Sequence, residues 1–278
     1  SVRPQSNPAK YSKRKAQNQG YWIRFGLRSL KFVLSTTKNK HQAHNSFTNI
    51  HRSRGMLSTS RPPIICLFGT SADPPTTLGH VAIALHLTTT SMFNEVRVMP
   101  VYRHMFNSKR LRVTNEEDSW ALKLSMCGLA FPSPVAVSDV ERVVFNRKAS
   151  LLQEGEKLEG IRVGTADVLD YLIETEPDAE FHLCLGADTY KDLCEGRWKR
   201  CADISRMVMN KLHVIARPGV EGAVEDLAKE QEDKVKSGLG EGDFAFPATV
   251  HKGIEGLGEV SSTEARGTRD KERLMELV

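Results

Sequence analysis

No acidic residue occurs before Asp73, although the 278-residue chain carries 34 Asp and Glu. The first 61 residues hold 13 of the 39 Lys and Arg, leaving 26 bases against 34 acids in the remainder. The net charge of +5 is therefore a basic tail joined to an acidic body. Basicity segregated in this way argues against a nucleic-acid partner for the folded part. Cysteine is scarce. Cys66, Cys127, Cys184, Cys194 and Cys201 are odd in number and never spaced as C-x-x-C, which indicates neither a disulfide framework nor a zinc site and fits a reducing compartment. No run of about 18 apolar residues is present, so no membrane span is expected. Internal repeats, a Walker A loop and a G-x-G-x-x-G fingerprint after a strand are also lacking.

Residues 1–61 are rich in Lys, Arg, Ser, Asn and Gln, with one modest apolar patch from Tyr21 to Leu27. That composition matches an organelle transit segment better than a folded domain, and implies a plastid or mitochondrial destination. The alternative is a start at Met56 and a cytoplasmic protein, the upstream residues being a mis-extended reading. Ser1 is not an initiator, so a fragment or processed product is expected. His41, His44 and His51 in this tail read as solvated residues.

At Pro62 the pattern changes to short apolar runs alternating with amphipathic stretches. Strands are expected at Ile64–Phe68, Glu95–Val101, Pro134–Val140, Glu180–Leu185 and Leu212–Ala216. Helices are expected from Gly79 to about Leu87, with Val81, Ala82, Leu85 and His86 inward, at Trp120–Ala130, and at Thr165–Ile173 with Thr165 as N-cap. Residues 221–242 read as a solvated helix and linker, and Gly253-x-x-Gly256-x-Gly258 as a connector without a clear buried strand before it. Strands alternating with helices predict an α/β, Rossmann-like doubly wound parallel sheet over 62–278, with its ligand site at the carboxyl ends of the strands.

Two stretches carry phosphate chemistry on their own terms. Gly69, Thr70 and Ser71 follow the first strand and precede a helix start, where exposed backbone N–H groups favour an anion, and Gly79-His80 brings an imidazole to that helix's first turn. Ser261, Ser262 and Thr263 could donate to phosphate oxygens at a second helix start, with Arg266 one turn along on the same face. An ordinary N-cap with Glu264 in the first turn is the plainer account of the same residues.

The stretch from Gly69 through Asp73-Pro74-Pro75-Thr76 to Gly79-His80 resembles the T/H-x-G-H signature of the nucleotidylyltransferase superfamily, in the form found in bacterial and cyanobacterial nicotinate-nucleotide adenylyltransferases. Four further stretches resemble that family in the same order: Val137–Glu141, Gly164–Leu169, Leu185–Asp188 followed by Trp198, and Val260–Arg266. The likeness covers roughly 62–266. It departs in that Thr77 stands where many members have the first His, the Asp73-to-His80 interval is one residue longer, and the Asp188-to-Trp198 gap is somewhat long. The family also continues well past its S-S-T-x-x-R motif, whereas this chain ends 12 residues after Arg266, so a truncated C-terminus is expected.

The resemblance implies adenylyl transfer from ATP to nicotinate mononucleotide in NAD synthesis, with nicotinamide mononucleotide, phosphopantetheine or a non-catalytic nucleotide-binding relative as alternatives. It implies His80, Thr77 and Arg266 as the catalytic set, and Gly69, Thr70, Ser71, Gly79, Ser261, Ser262 and Thr263 as further contacts to ATP. Lys109, with His104 beside it, and Thr165, Asp188 and Trp198 would meet the pyridine mononucleotide. Mg²⁺ would accompany ATP, held mainly by substrate and water, with no protein ligand assigned. Its partners are these small molecules, and a homo-oligomer is compatible with it.

Overall fold

Ile64-Ile65-Cys66-Leu67-Phe68 has no polar side chain to offer water, and it becomes the middle of a sheet covered on both faces. The computed structural model describes residues 61–103 and 116–258. Among them, six strands pair in parallel in the order β3-β2-β1-β4-β5-β6. They are β1 (Ile64–Thr70), β2 (Glu95–Pro100), β3 (Ala136–Val137), β4 (Glu180–Gly186), β5 (Leu212–Ile215) and β6 (Ala248–His251). All carboxyl ends therefore share one edge, and the order reverses between β1 and β4, where a doubly wound sheet opens a crevice for ligand.

Alternation along β1 divides the interior into two cores. Ile65 and Leu67 join Val144, Leu169, Tyr190, Ile204 and Val224, contributed by α3 (Val140–Ala149), α4 (Thr165–Thr175), α5 (Ala187–Cys194), α6 (Cys201–Val208) and α7 (Glu221–Lys236). Cys66 and Phe68 join Ile83, Leu87, Val98 and Cys127 on the other face, under α1 (Ala82–Thr89) and α2 (Glu116–Ala130).

The α/β reading holds, with local corrections. The third strand shrinks to Ala136–Val137, and Val140 instead opens α3, because Val140, Val144 and Phe145 fall on one buried face at helical spacing. Thr165 is the first residue of α4 rather than its cap; Gly164 holds the cap position, and its N–H donates to the Asp167 carboxylate at 2.8 Å. Ile83, Ala84 and Leu87 face inward on α1, while Leu85 is exposed and Ala82 and His86 are half-buried. A strand, β6, does precede the glycine-punctuated stretch 253–258.

A polar seam crosses the α1 face of the sheet. His86 Nε2 lies 3.1 Å from His251 Nδ1, His251 Nε2 3.1 Å from His213 Nδ1, and His213 Nε2 2.8 Å from His182 Nδ1. The row ends with His182 Nε2 3.2 Å from Glu180 Oε1. A carboxylate can only accept, so His182 carries its proton on Nε2, and each ring in turn donates from Nε2 to the next Nδ1. The four imidazoles are neutral and of one tautomer. Phe93 stands edge-on against His182 and His213 and shields them from water.

Candidate active site

β1 delivers Gly69 and Thr70 to the carboxyl edge, where Thr70 O accepts from Val101 N at 2.9 Å as β2 ends. Gly69 is exposed, and a Cβ built on it would meet nothing within 4 Å. Gly186, where β4 passes into α5, is equally open. Extending the register that pairs Phe68 with Cys184 sets these glycines on the two strands that flank the crevice. Among the described residues no neighbour within 4 Å demands their small size.

Beyond Thr70 the chain turns through Ala72, which is buried with φ of 44°, and its N–H donates to Thr70 Oγ1 at 3.3 Å. A non-glycine residue in the left-handed region costs on the order of 1–2 kcal/mol, and such strain gathers where a loop shape is functional. Ser71 is half-buried in the same turn.

The loop closes on a π-helical turn, Thr77–Val81. Val81 N–H donates to Thr76 O at 3.1 Å, and the Ala82 N–H reaches Thr77 O, both five residues back. A π turn holds more residues than an α turn, and this one carries the His80 imidazole at the start of α1. Thr76 caps the turn and meets the ring twice: its N–H donates to His80 Nδ1 at 3.1 Å, and its Oγ1 lies 3.0 Å from the same atom. Nδ1 is thereby an acceptor, and a neutral His80 holds its proton on Nε2. Thr76 and Gly79 are buried, and Thr77 is exposed at the first position of the turn. Thr76 thus helps to orient His80.

From the far side, the chain after β6 returns to this turn. Gly258 N–H donates to Leu78 O at 2.8 Å, and Ile254 and Leu257 are buried in the core that also holds Val81 and Ala84. Gly253 and Gly256 have φ of 62° and 75°, which glycine adopts without strain. Ser261, Ser262, Thr263 and Arg266 lie outside the described residues, as do His104 and Lys109.

On the second-substrate side, Thr165 is half-buried at the start of α4 and Asp188 is exposed in the first turn of α5. Burial raises the Asp167 pKa, but Lys148 at 2.5 Å and the Gly164 N–H outweigh it and hold the carboxyl below its ordinary value. Trp198 is half-buried against the first core, and its carbonyl accepts from Cys201 Sγ at 3.1 Å.

One feature of the edge has no counterpart in the sequence reading. Lys123 of α2, buried, lies 3.3 Å from the fully buried Asp73 carboxylate and donates to Val101 O at 2.8 Å. Glu141 of α3 accepts from the next N–H, that of Tyr102, at 2.9 Å. Desolvation pushes the Glu141 carboxyl up to about 7, against the opposing pull of the Tyr102 N–H and the Lys123 cation. Among the described residues no three His, Cys, Asp or Glu side chains converge as a metal site.

Comparison with known proteins meets this geometry. No family model matches the chain. The chain is 26% identical over 156 residues to the "Probable nicotinate-nucleotide adenylyltransferase" of Myxococcus xanthus (strain DK1622), spanning 54% of this chain and 70% of that protein. The chain is thus similar in sequence to a nicotinate-nucleotide adenylyltransferase. Its fold agrees with that of a solved adenylyltransferase. Plasmodium falciparum nicotinic acid mononucleotide adenylyltransferase complexed with NaAD superposes with a TM-score of 0.51 at 17% identity, over 78% of this chain and 90% of that one.

Proposed function

We propose that this chain transfers the adenylyl group of ATP to nicotinate mononucleotide, releasing pyrophosphate, in NAD synthesis. The observation that carries the reading is the cradle at the β1–β4 crevice: open glycines on both strands and a ring whose Nε2–H is fixed by Thr76. The mononucleotide 5′-phosphate oxygen attacks the α-phosphorus, the bond to the α,β-bridging oxygen breaks, and pyrophosphate leaves with its charge. Such chemistry asks the protein for alignment and charge stabilisation rather than a nucleophile.

His80 donates from Nε2 to the phosphate oxygens that gain charge, while the backbone of Gly69, Thr70, Ser71 and Gly79 and the hydroxyl of Thr77 line the approach. Gly258 is fastened to Leu78 three residues ahead of Ser261, which favours Ser261, Ser262, Thr263 and Arg266 as the other half of the clamp. Thr165, Asp188, Trp198 and Lys109 shape the pyridine mononucleotide side. Asp73 is committed to Lys123, so the donors on the described edge suit an ion that arrives on the nucleotide more than one held in a protein cage. Mg²⁺ bound there would neutralise phosphate charge.

Pyrophosphate release measured with ATP and either nicotinate or nicotinamide mononucleotide tests the proposal. Turnover with nicotinate mononucleotide is expected. Retained ATP binding without turnover on any acceptor removes the catalytic assignment.

A further inference from the structure

The ion pair of Asp73 and Lys123 sits between the two loops that the proposed transfer uses. Asp73 belongs to the loop between β1 and the π turn, seven residues ahead of His80. Val101 and Tyr102 open the segment after β2 that leads to Lys109. Lys123 grips both: its ammonium lies 3.3 Å from the Asp73 carboxylate and 2.8 Å from the Val101 carbonyl oxygen, and it is 5% exposed while Asp73 is 0% exposed. Two backbone ties meet at the same place, Val101 N–H to Thr70 O at 2.9 Å and Tyr102 N–H to Glu141 Oε2 at 2.9 Å. Pyridine-side and ATP-side loops thus converge on one buried cation.

A buried ion pair is a poor device for stability alone, because desolvation of both charges offsets most of their attraction. It is a good device for register, since a buried ammonium hydrogen-bonded to a carbonyl and ion-paired with a carboxylate tolerates little displacement of either. We infer that Lys123 is a positioning residue for adenylyl transfer, bracing the His80-bearing loop against the start of the segment after β2 so that both substrates are held in line. The inference rests on the function proposed above. Lys123 touches no reacting atom in this scheme. Its effect passes through Asp73 and Val101.

The test separates bracing from bulk stability by two variants of the full chain. Lys123→Met removes a cation beside the buried Asp73 carboxylate, so both melting temperature and activity fall. Asp73→Asn combined with Lys123→Met removes both charges, and its melting temperature is expected to return close to that of the parent chain. Its ATP affinity, read by titration calorimetry, and its kcat/KM, read by pyrophosphate release, are expected to stay down by at least about tenfold, since a misplacement of about 1 Å costs up to about a hundredfold. A double variant that regains parental affinity and rate along with its melting temperature overturns the inference, as does a single variant with parental kinetics. If the parent chain binds ATP but turns over no acceptor, the functional reading fails while the affinity comparison still decides the brace. A parent chain that does not bind ATP sinks both.

Discussion

Among the described residues nothing lies within 4 Å of a Cβ built on Gly69 or Gly186, which makes them separable probes of folding and binding. Neither has a positive φ, so alanine fits the backbone at both. Gly69→Ala is expected to leave the melting temperature unchanged or raise it, by up to about 1 kcal/mol of stability, because glycine within a strand is entropically costly. The same methyl intrudes on the ligand, and ATP affinity measured by calorimetry is expected to fall. Unchanged affinity would move the phosphate site elsewhere. Thr76 and His80 form a second residue-scale pair. His80→Ala is expected to lower turnover by at least about tenfold through loss of a charge-stabilising donor. Thr76→Val keeps the backbone bond to Nδ1 and loses only the hydroxyl, so a smaller loss of kcat is expected, with KM for ATP close to that of the parent chain. A Gly-His pair after an apolar strand is visible in a bare sequence. That Thr76 addresses the ring is not, because it depends on a turn whose period departs from 3.6. Lys123 did leave a signal, as the sole charge in Trp120–Ala130, and charge in an apolar helix face calls for a buried partner.

Elements with strong local patterns were legible, and those defined by tertiary contact were not. β1, β2, β4 and β5 follow from apolar runs bounded by polar residues. β6 is short and half-exposed, so no apolar run marks it, and α3 is rich in β-branched valine, so propensity there points away from helix. The histidine seam is an element-scale property too, since its members come from β4, β5, β6 and α1. Burial lowers the pKa of all four, and at His213 the adjoining rings add to it, down to about 3. The unfolded chain binds protons at these positions near pH 6.5, before the folded chain does. The seam's contribution is therefore complete above pH 6.5 and is lost as pH falls from 6.5 toward 3. Besides one another, the rings face the Glu180 carboxylate and Lys211, which is 3.6 Å from Glu180; the carboxylate moderates the shift at His182 without reversing it. Denaturant midpoints are expected to drop between pH 7 and pH 5, and to drop less in His213→Leu. Equal slopes in the two proteins would assign the acid sensitivity to other groups.

For the whole molecule, segregated charge is the plainest feature: 13 bases and no acid in residues 1–61, then an excess of acids. We propose that the tail is a targeting segment. Residues 1–61 fused to a fluorescent reporter are expected to send it to a plastid or mitochondrion, and diffuse cytosolic signal would favour a start at Met56. The body joins distant parts of the chain at the crevice, with Gly258 tied to Leu78 across 180 positions of sequence. The histidine row makes a comparable connection by protons rather than by backbone. Its four rings share one orientation, and that orientation is set at a single end, where Glu180 can receive a proton but not offer one. Glutamine there could offer one. The row would then reverse throughout, and the outer His86 Nδ1 on α1 would change from acceptor to donor. One carboxylate on β4 thus decides whether a helix at the far end of the row shows an acceptor or a donor.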